Sequence, residues 1–193
     1  MCLCVFKKNK NTHIQIMTSL HQLIGNTDIY LLDQILKNRY KTSDRILDAG
    51  AGGGRNLHWF VQNGNPIWAV DQNPEAVAML KRNYPGVPEA HFQQALVEHL
   101  PFEAGFFQHI ICCAVLHFAE SPEHFEAMFG DLLRVLQPGG SLFIRVATDV
   151  GIADRMKPLG NGRFRMPDCT DRFLLTRPAL ERLMGAYRLA FLE

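Results

Sequence analysis

Apolar residues recur along this chain at two spacings, and together the spacings predict strands that alternate with helices. Five short apolar runs are typical of strands buried within a parallel sheet, and they lie at 45–49, 67–70, 91–94, 109–115 and 141–146. Helical spacing, introduced by capping residues and ended by glycine or proline, predicts helices at 27–40, 55–63, 73–82, 121–136 and 176–185. This alternation predicts a three-layer α/β sandwich, in which a doubly wound, mostly parallel sheet of order 3-2-1-4-5 carries helices on both faces.

The two ends of the chain and one long segment depart from this alternation. Residues 1–16 are expected to form a flexible leader before a single domain at 17–193, whose core is 45–146. Glycines, prolines and scattered charges at 149–171 predict a loop or lid. Only one further strand, at 188–192, is predicted after the last helix, so we expect a C-terminal sheet that is incomplete or is completed by a partner chain in a homodimer.

Composition excludes several classes of protein. A length of 193 residues, 47% hydrophobic and 20% charged, is that of one globular domain. A net charge of +1 gives no electrostatic reason to expect nucleic-acid binding. No apolar run is long enough for a membrane span. The five cysteines are odd in number and form no C-x-x-C pair, which predicts neither a disulfide framework nor a metal site and favours a cytoplasmic protein.

The most informative stretch is the glycine-rich turn that follows the first predicted strand. It places Asp48 before Gly50, Gly52 and Gly54, where the missing Cβ atoms permit positive φ and let a ligand approach the backbone. The G-x-G-x-x-G fingerprint of nicotinamide dehydrogenases fails here, because Arg55 occupies its third glycine position if the motif starts at Gly50. A second acid, Asp71, lies 21 positions after Gly50, at the end of the next predicted strand. An acid at this interval can accept hydrogen bonds from both hydroxyls of a ribose.

These residues resemble the first two motifs of the class I S-adenosylmethionine-dependent methyltransferases. Leu100-Pro101-Phe102 and the helix-ending segment at 134–142 resemble further elements of the same family, so the resemblance extends from about 45 to 146. It implies a Rossmann-like fold, S-adenosylmethionine as the cofactor and a small-molecule acceptor as the partner. The cofactor-binding residues that it implies are Asp48, Ala49, Gly50, Ala51, Gly52, Gly54, Asp71, Gln72, Ala95, Leu96, Val97 and Ala114.

The reaction implied is the in-line transfer of a methyl group, which mainly requires positioning of the acceptor. His117 follows the fourth strand and is the candidate general base, although a polar wall residue or a histidine at a helix start is the favoured alternative. One departure is Leu96, which occupies the place where many relatives carry an acid that meets the adenine amino group. Arg55-Asn56 is weakly similar to the tellurite-resistance type of methyltransferase.

Several other functions stay open at this point. A non-catalytic or truncated S-adenosylmethionine-binding protein would carry the same motifs. A nicotinamide-dependent oxidoreductase is disfavoured by Asp48 and Arg55, and an RNA or protein methyltransferase by the nearly neutral charge. Cys112 and Cys113 lie where cytosine-C5 methylases carry a Pro-Cys pair, but the proline is absent, which favours two buried hydrophobic thiols. The acceptor atom is not specified by these residues.

Overall fold

The structure, a computed structural model, describes residues 22–151 and 155–192, so the predicted leader at 1–16 lies outside the described residues. Within these ranges a parallel sheet of five strands has the order β3-β2-β1-β4-β5. Its strands are β1 Ile46–Ala49, β2 Ile67–Asp71, β3 Phe92–Gln94, β4 Phe107–Cys113 and β5 Leu136–Arg145. The predicted fold class and strand order are therefore confirmed.

Helices cover both faces of this sheet. They are α1 Ile29–Leu36, α2 His58–Gln62, α3 Pro74–Asn83, α4 Pro122–Val135 and α5 Arg177–Ala186. One core cluster contains α4 and α5 residues such as Phe125 and Leu183, and the other contains Leu31, Phe60 and Leu80 from α1, α2 and α3. Alternate residues of β4 face the two clusters, which explains why that strand is apolar throughout. None of the helices described is long and apolar enough to cross a membrane.

Two predicted helices are shorter than expected. The helix predicted at 27–40 begins with Asp28, not Thr27, as its N-cap and ends at Leu36. The Asp28 carboxylate accepts the Tyr30 amide at 3.0 Å, whereas the Thr27 hydroxyl donates to the Ile24 carbonyl. The segment predicted as a helix from 55 runs as turns up to residue 57, because the glycine loop extends further than its sequence motif suggests.

The last strand of the sheet begins earlier than predicted. β5 starts at Leu136, directly after α4, and Pro138-Gly139-Gly140 forms an irregularity inside the strand instead of a turn before it. Gly140 is required there, because a Cβ atom would lie 2.5 Å from the Gln108 carbonyl oxygen. At the same end of the sheet, the His109 ring forms hydrogen bonds with the Ser141 hydroxyl at 2.7 Å and with the Asp44 carboxylate at 3.0 Å. These bonds fix β4 against its neighbours.

The region predicted as a loop contains a second, antiparallel sheet, so that prediction of its secondary structure is wrong. Its strands are β6 Lys157–Gly160, β7 Arg163–Arg165 and β8 Asp171–Phe173. Asn161 and Gly162 both have positive φ in the connection from β6 to β7, as tight hairpin turns require. Phe173 stacks on Phe125 of α4 with a centroid distance of 5.0 Å, so this small sheet is packed against the main core. Whether it acts as a lid stays a prediction.

The strand predicted at 188–192 is also wrong. Arg188 has a φ of 53° and no residue from there to 192 is paired in a strand. The Leu192 carbonyl instead accepts a hydrogen bond from Arg39 at 2.9 Å, and Leu189 packs against the core. In the part of the chain that the structure describes, the parallel sheet ends at β5. Completion of that edge by a second copy of the chain stays a prediction.

Candidate active site

The glycine turn joins β1 to the turns before α2 at the carboxyl end of the sheet. Gly50 has a φ of 76°, and a Cβ atom there would lie 2.3 Å from a methyl carbon of Val115, so the position requires glycine on two grounds. Gly52 has a φ of 54° but no atom lies within 4 Å of the place where its Cβ would be. The turn therefore leaves open space in front of Gly52, which a ligand can occupy.

Two carbonyl groups of the turn accept hydrogen bonds from residues at the end of α3. The Asn83 amide donates to the Gly53 carbonyl at 2.9 Å and the Tyr84 hydroxyl donates to the Gly54 carbonyl at 2.7 Å. Burial, with the charge of Asp48 adding to it, raises the pKa of Tyr84 to about 12, so the hydroxyl keeps its proton for this bond. The turn is thus held in place by hydrogen bonds within the protein.

Asp71, at the end of β2, is fixed beside the turn as its sequence position predicts. One carboxylate oxygen accepts the Gly52 amide at 2.8 Å, and the other accepts the Asn73 amide at 2.9 Å. An ionised carboxylate offers about four lone-pair sites, so Asp71 retains capacity for two further hydrogen bonds. Gln72 follows it with an exposed side chain, and its carbonyl accepts from the Gln94 amide at 3.0 Å.

Asp48 is the other acid of the site, and it is almost completely buried in β1 at 1% exposure. Burial raises its pKa to about 7, against the opposing charge of Arg55 and with the charge of Asp71 in support. Its Oδ2 atom has no hydrogen-bond partner among the described residues. A buried carboxylate oxygen without a partner is costly, and a ligand that brings a cation or a hydrogen-bond donor would remove that cost.

Asp48→Asn is expected to stabilise the ligand-free protein at neutral pH by an amount on the order of 1–3 kcal/mol. The carboxyl has a pKa near 3.8 in the unfolded chain and about 7 in the folded protein. Both states are protonated below the lower value, and the free energy of unfolding falls as pH rises to the higher one. Urea unfolding across this pH range measures the difference. A stability gain that does not vanish at low pH would contradict this explanation.

Four further predicted cofactor residues, at the ends of β3 and β4, divide into three groups. Ala95 lies beside Asp71, because its amide donates to the Asp71 carbonyl at 3.1 Å. Leu96 is 43% exposed, whereas the Val97 side chain is buried in the core, so of these two only Leu96 offers an apolar side chain to a ligand. Ala114, the first residue after β4, has an unusual φ of 62° and donates its amide to the Arg145 carbonyl at 2.8 Å.

A cleft of about 1150 Å³ opens on one side of the glycine turn. Its walls come from the turn, from the residue after β4 and from the segment before α1, and they include Gly50, Ala51, Gly52, Gly53, Ala114, Arg55, Asn56, Gly25 and Asn26. Asp71 and Leu96 are not among the residues that line it. Ligands of open parallel sheets contact the carboxyl ends of the strands, so the predicted binding site extends from this cleft to the end of β2.

The sequence analysis missed a buried carboxylate that enters the site from the N-terminal side. Asp28 is 3% exposed and lies 2.8 Å from Arg145 and 3.6 Å from Arg55. Burial acts to raise its pKa, but the Tyr30 amide and the charge of Arg145 outweigh burial and hold the pKa below its usual value. The Asp28 amide donates to Asn56 at 3.0 Å, which links α1 to the glycine turn. No sequence signal connects residues so far apart along the chain.

His117 lies in a 3-10 turn, Leu116–Phe118, just beyond β4. Burial, and then the nearby charges of Arg172 and Arg145, lower its pKa to about 4, so the imidazole is neutral at physiological pH. Cys112 and Cys113 are both buried and burial raises both thiol pKa values, which makes them poor nucleophiles. Across 22–151 and 155–192 no group of three or more histidines, cysteines and acids is suited to a metal ion.

The site combines three features: a buried acid in β1, the glycine turn that follows it, and a second acid at the end of β2 in a doubly wound sheet. This combination defines a class I S-adenosylmethionine-dependent methyltransferase domain. Residues 47–144, about half of the chain, match the protein family whose description is "Methyltransferase domain". The chain belongs to this family, and S-adenosylmethionine is its cofactor. The resemblance that the motifs carry is thereby confirmed, whereas the similarity to the tellurite-resistance type stays a prediction.

Similar proteins agree with this assignment. An uncharacterized methyltransferase of Synechocystis is 33% identical over 96 residues, which are 50% of this chain and 43% of that protein. A ubiquinone biosynthesis O-methyltransferase of Xylella fastidiosa is 30% identical over 115 residues, which are 58% of this chain and 46% of that protein. The matched segment thus spans less than half the length of these relatives.

Solved structures share the fold across most of the chain. A protein of Pyrococcus horikoshii matches with a TM-score of 0.67 and 16% identity, and the match covers 89% of this chain and 88% of that one. A SAM-dependent methyltransferase of Methanosarcina mazei matches with a TM-score of 0.66 and 21% identity, covering 80% and 83% of the two chains. At this level of identity, the similarity establishes the fold alone.

Proposed function

We propose that this domain transfers the methyl group of S-adenosylmethionine to a small-molecule acceptor bound beyond β4 and β5. The observation that carries the proposal is the pair of acids at the glycine turn. Asp48 has a buried carboxylate oxygen without a partner among the described residues, and Asp71 is fixed by the Gly52 amide with hydrogen-bonding capacity to spare. A ligand with an ammonium group at one end and a ribose at the other satisfies both acids.

The residues of the chain fit the two ends of this cofactor. Asp48 would hold the ammonium group of the methionine part, in the open space before Gly52. Asp71 would accept both ribose hydroxyls, and the exposed Leu96 would pack against the adenine without an acidic contact. The bound cofactor supplies a methyl group already activated on a sulfonium, so the protein's main contribution is to align the acceptor and exclude water.

Ala114 and His117 follow β4, at the end of the sheet where the transfer is proposed. Ala114 lines the cleft with the glycine turn, and its positive φ sets the direction in which the chain leaves β4. His117 is neutral at physiological pH and can accept a proton if the acceptor atom arrives protonated. The name of one relative, a ubiquinone biosynthesis O-methyltransferase, supports a small organic acceptor for this domain.

The test is a calorimetric titration with S-adenosylmethionine, its demethylated product and NAD. We expect the first two to bind and NAD not to bind. The reason is that Arg55 occupies the position of the third glycine in the G-x-G-x-x-G motif of dinucleotide-binding loops. Labelled-methyl transfer is then measured over a panel of small acceptors. No binding of either sulfur compound by folded protein would contradict the proposal, and so would binding of NAD alone.

A second candidate is a domain that binds the cofactor without turnover. The specific observation in its favour is Leu96, which stands where many relatives have an acidic contact to adenine and is 43% exposed. Binding without methyl transfer to any acceptor in the panel would favour this candidate. Transfer to one acceptor would exclude it.

A cytoplasmic location for the protein stays a prediction.

A further inference from the structure

Two arginines approach His117 from different elements at the carboxyl end of the sheet. Arg145 is the last residue of β5, and its carbonyl accepts the Ala114 amide at 2.8 Å, so it lies one strand away from the proposed transfer site. Arg172 is in β8, and its guanidinium carbon lies 4.7 Å from the centre of the Phe118 ring, adjacent in sequence to His117. Both charges act on the His117 imidazole. Arg172 therefore lies next to His117, whereas the Arg145 guanidinium pairs with Asp28 and lies 6.0 Å from the centre of the Tyr30 ring. We refer to the end of the sheet bordered by these residues as the arginine corner.

This corner carries more positive than negative charge. The Asp28 carboxylate is shared by Arg145 at 2.8 Å and Arg55 at 3.6 Å, so one acid faces two cations. Arg172 adds a third cation, and among the described residues it forms no ion pair within 4.0 Å. The charge of Arg172 lowers the pKa of Asp168, but Asp168 is exposed and its Oδ1 atom accepts from the Thr170 amide and hydroxyl. The excess charge is thus left facing solvent.

The small sheet fixes one of these cations in place. β8 pairs with β7, and the chain continues from β8 to Leu175, whose amide donates to the Ala147 carbonyl at 3.0 Å just after β5. Arg172 is therefore held at a set distance from the end of β5 and is not on a free loop. A guanidinium group pairs with a carboxylate in a bidentate geometry, so Arg145 and Arg172, on separate and packed elements, are each suited to bind an anion.

We propose, resting on the proposed methyl transfer, that the acceptor carries a carboxylate and that Arg145 and Arg172 bind it beside His117. The carboxylate neutralises part of the excess positive charge of this corner and anchors one end of the acceptor. The atom to be methylated then lies on the side of Ala114. Occupation of the site also offsets the two positive charges that act on the imidazole, so an acceptor bound there makes His117 a stronger base than it is in the free protein.

The test follows the His117 ring by NMR, in protein saturated with demethylated cofactor. Benzoate and benzamide are the probes, because they have nearly the same shape and differ in charge, and sodium chloride keeps the ionic strength constant. We expect benzoate to shift the His117 resonances in a saturable way and to raise its pKa above about 4, because its charge offsets that of the two arginines. Burial, the largest cause of the low pKa, remains, so the pKa is expected to stay below its ordinary value. Benzamide is expected to do neither.

Arg145→Gln and Arg172→Gln are each expected to weaken benzoate binding roughly tenfold or more, because each removes a charged hydrogen-bond donor. Arg177→Gln is the matched control, since that arginine is 86% exposed on α5 and pairs with Glu181. Arg172 contacts no buried acid, so its variant stays informative if Arg145→Gln fails to fold. Equal effects of benzoate and benzamide, no effect of either, or benzoate binding unchanged by Arg172→Gln would each overturn the proposal.

Calorimetry on the same samples separates this proposal from the proposed function. Protein that binds S-adenosylmethionine but whose His117 does not respond to benzoate overturns the carboxylate site alone. Protein that binds no S-adenosylmethionine overturns the proposed methyl transfer, and the carboxylate proposal falls with it because it rests on that reaction.

Discussion

Asp71→Ala is expected to weaken the binding of S-adenosylmethionine by roughly hundredfold or more. Hydrogen bonds to a charged group contribute about 1.5–3 kcal/mol each, and two ribose hydroxyls are expected to use this carboxylate. The alanine variant also releases the Gly52 and Asn73 amides that Asp71 now holds, so the turn loses its orientation as well. Calorimetric titration measures the change in affinity directly.

Two controls make the result specific. Asp71→Asn keeps the shape and one acceptor oxygen, so its affinity is expected to fall between those of the wild type and the alanine variant. Glu75→Ala removes an exposed acid from the first turn of α3, and we expect it to leave the affinity unchanged. Wild-type affinity in the Asp71→Ala protein would show that the ribose does not lie beside β2.

Gly50→Ala and Gly52→Ala are expected to fail in different ways, although both positions have positive φ. A Cβ at Gly50 meets Val115 at 2.3 Å, so this variant is expected to lose several kcal/mol of stability through strain and forced repacking. A Cβ at Gly52 meets nothing within 4 Å, so only the cost of the left-handed backbone applies, about 1–2 kcal/mol. The same Cβ occupies the space proposed for the cofactor, and binding is expected to be lost.

Thermal unfolding and cofactor titration together distinguish the two variants. Gly52→Ala should unfold only a few degrees below the wild type and yet show no measurable binding. Gly50→Ala should unfold at a clearly lower temperature. Gly86→Ala provides a control, because that glycine also has open space around it but lies away from the turn, before β3. Normal binding by Gly52→Ala would mean that the cofactor does not enter the space in front of the turn.

The parts predicted correctly from sequence depend on short stretches of chain. Strands buried on both faces are apolar throughout, so β1, β2 and β4 were visible as runs without reference to the rest of the molecule. The turn from Asp48 to Gly54 and the acid at Asp71 belong to one strand-turn-helix-strand unit. Because their geometry is set by local backbone conformation and strand pairing, residue type and spacing were sufficient to indicate them.

The parts that sequence did not reveal depend on packing between distant segments. β6, β7 and β8 are three or four residues long and rich in arginine and lysine, so no apolar run marks them. Asp28 and Arg145 are 117 residues apart, and only the folded chain shows that they form an ion pair. His117 was identified as a site residue, but the low pKa of its imidazole comes from burial and then from Arg172 and Arg145, and Arg172 lies in a sheet that the sequence did not predict.

The hydrogen bonds from Asn83 and Tyr84 to the turn have a thermodynamic consequence. They order the turn when α3 folds, so the loss of backbone entropy at Gly53 and Gly54 belongs to folding and not to ligand binding. The end of this helix thus contributes to affinity through the turn that it orders. By linkage, bound cofactor in turn stabilises α3 against fraying, and the two free energies cannot be separated by mutation of that helix end.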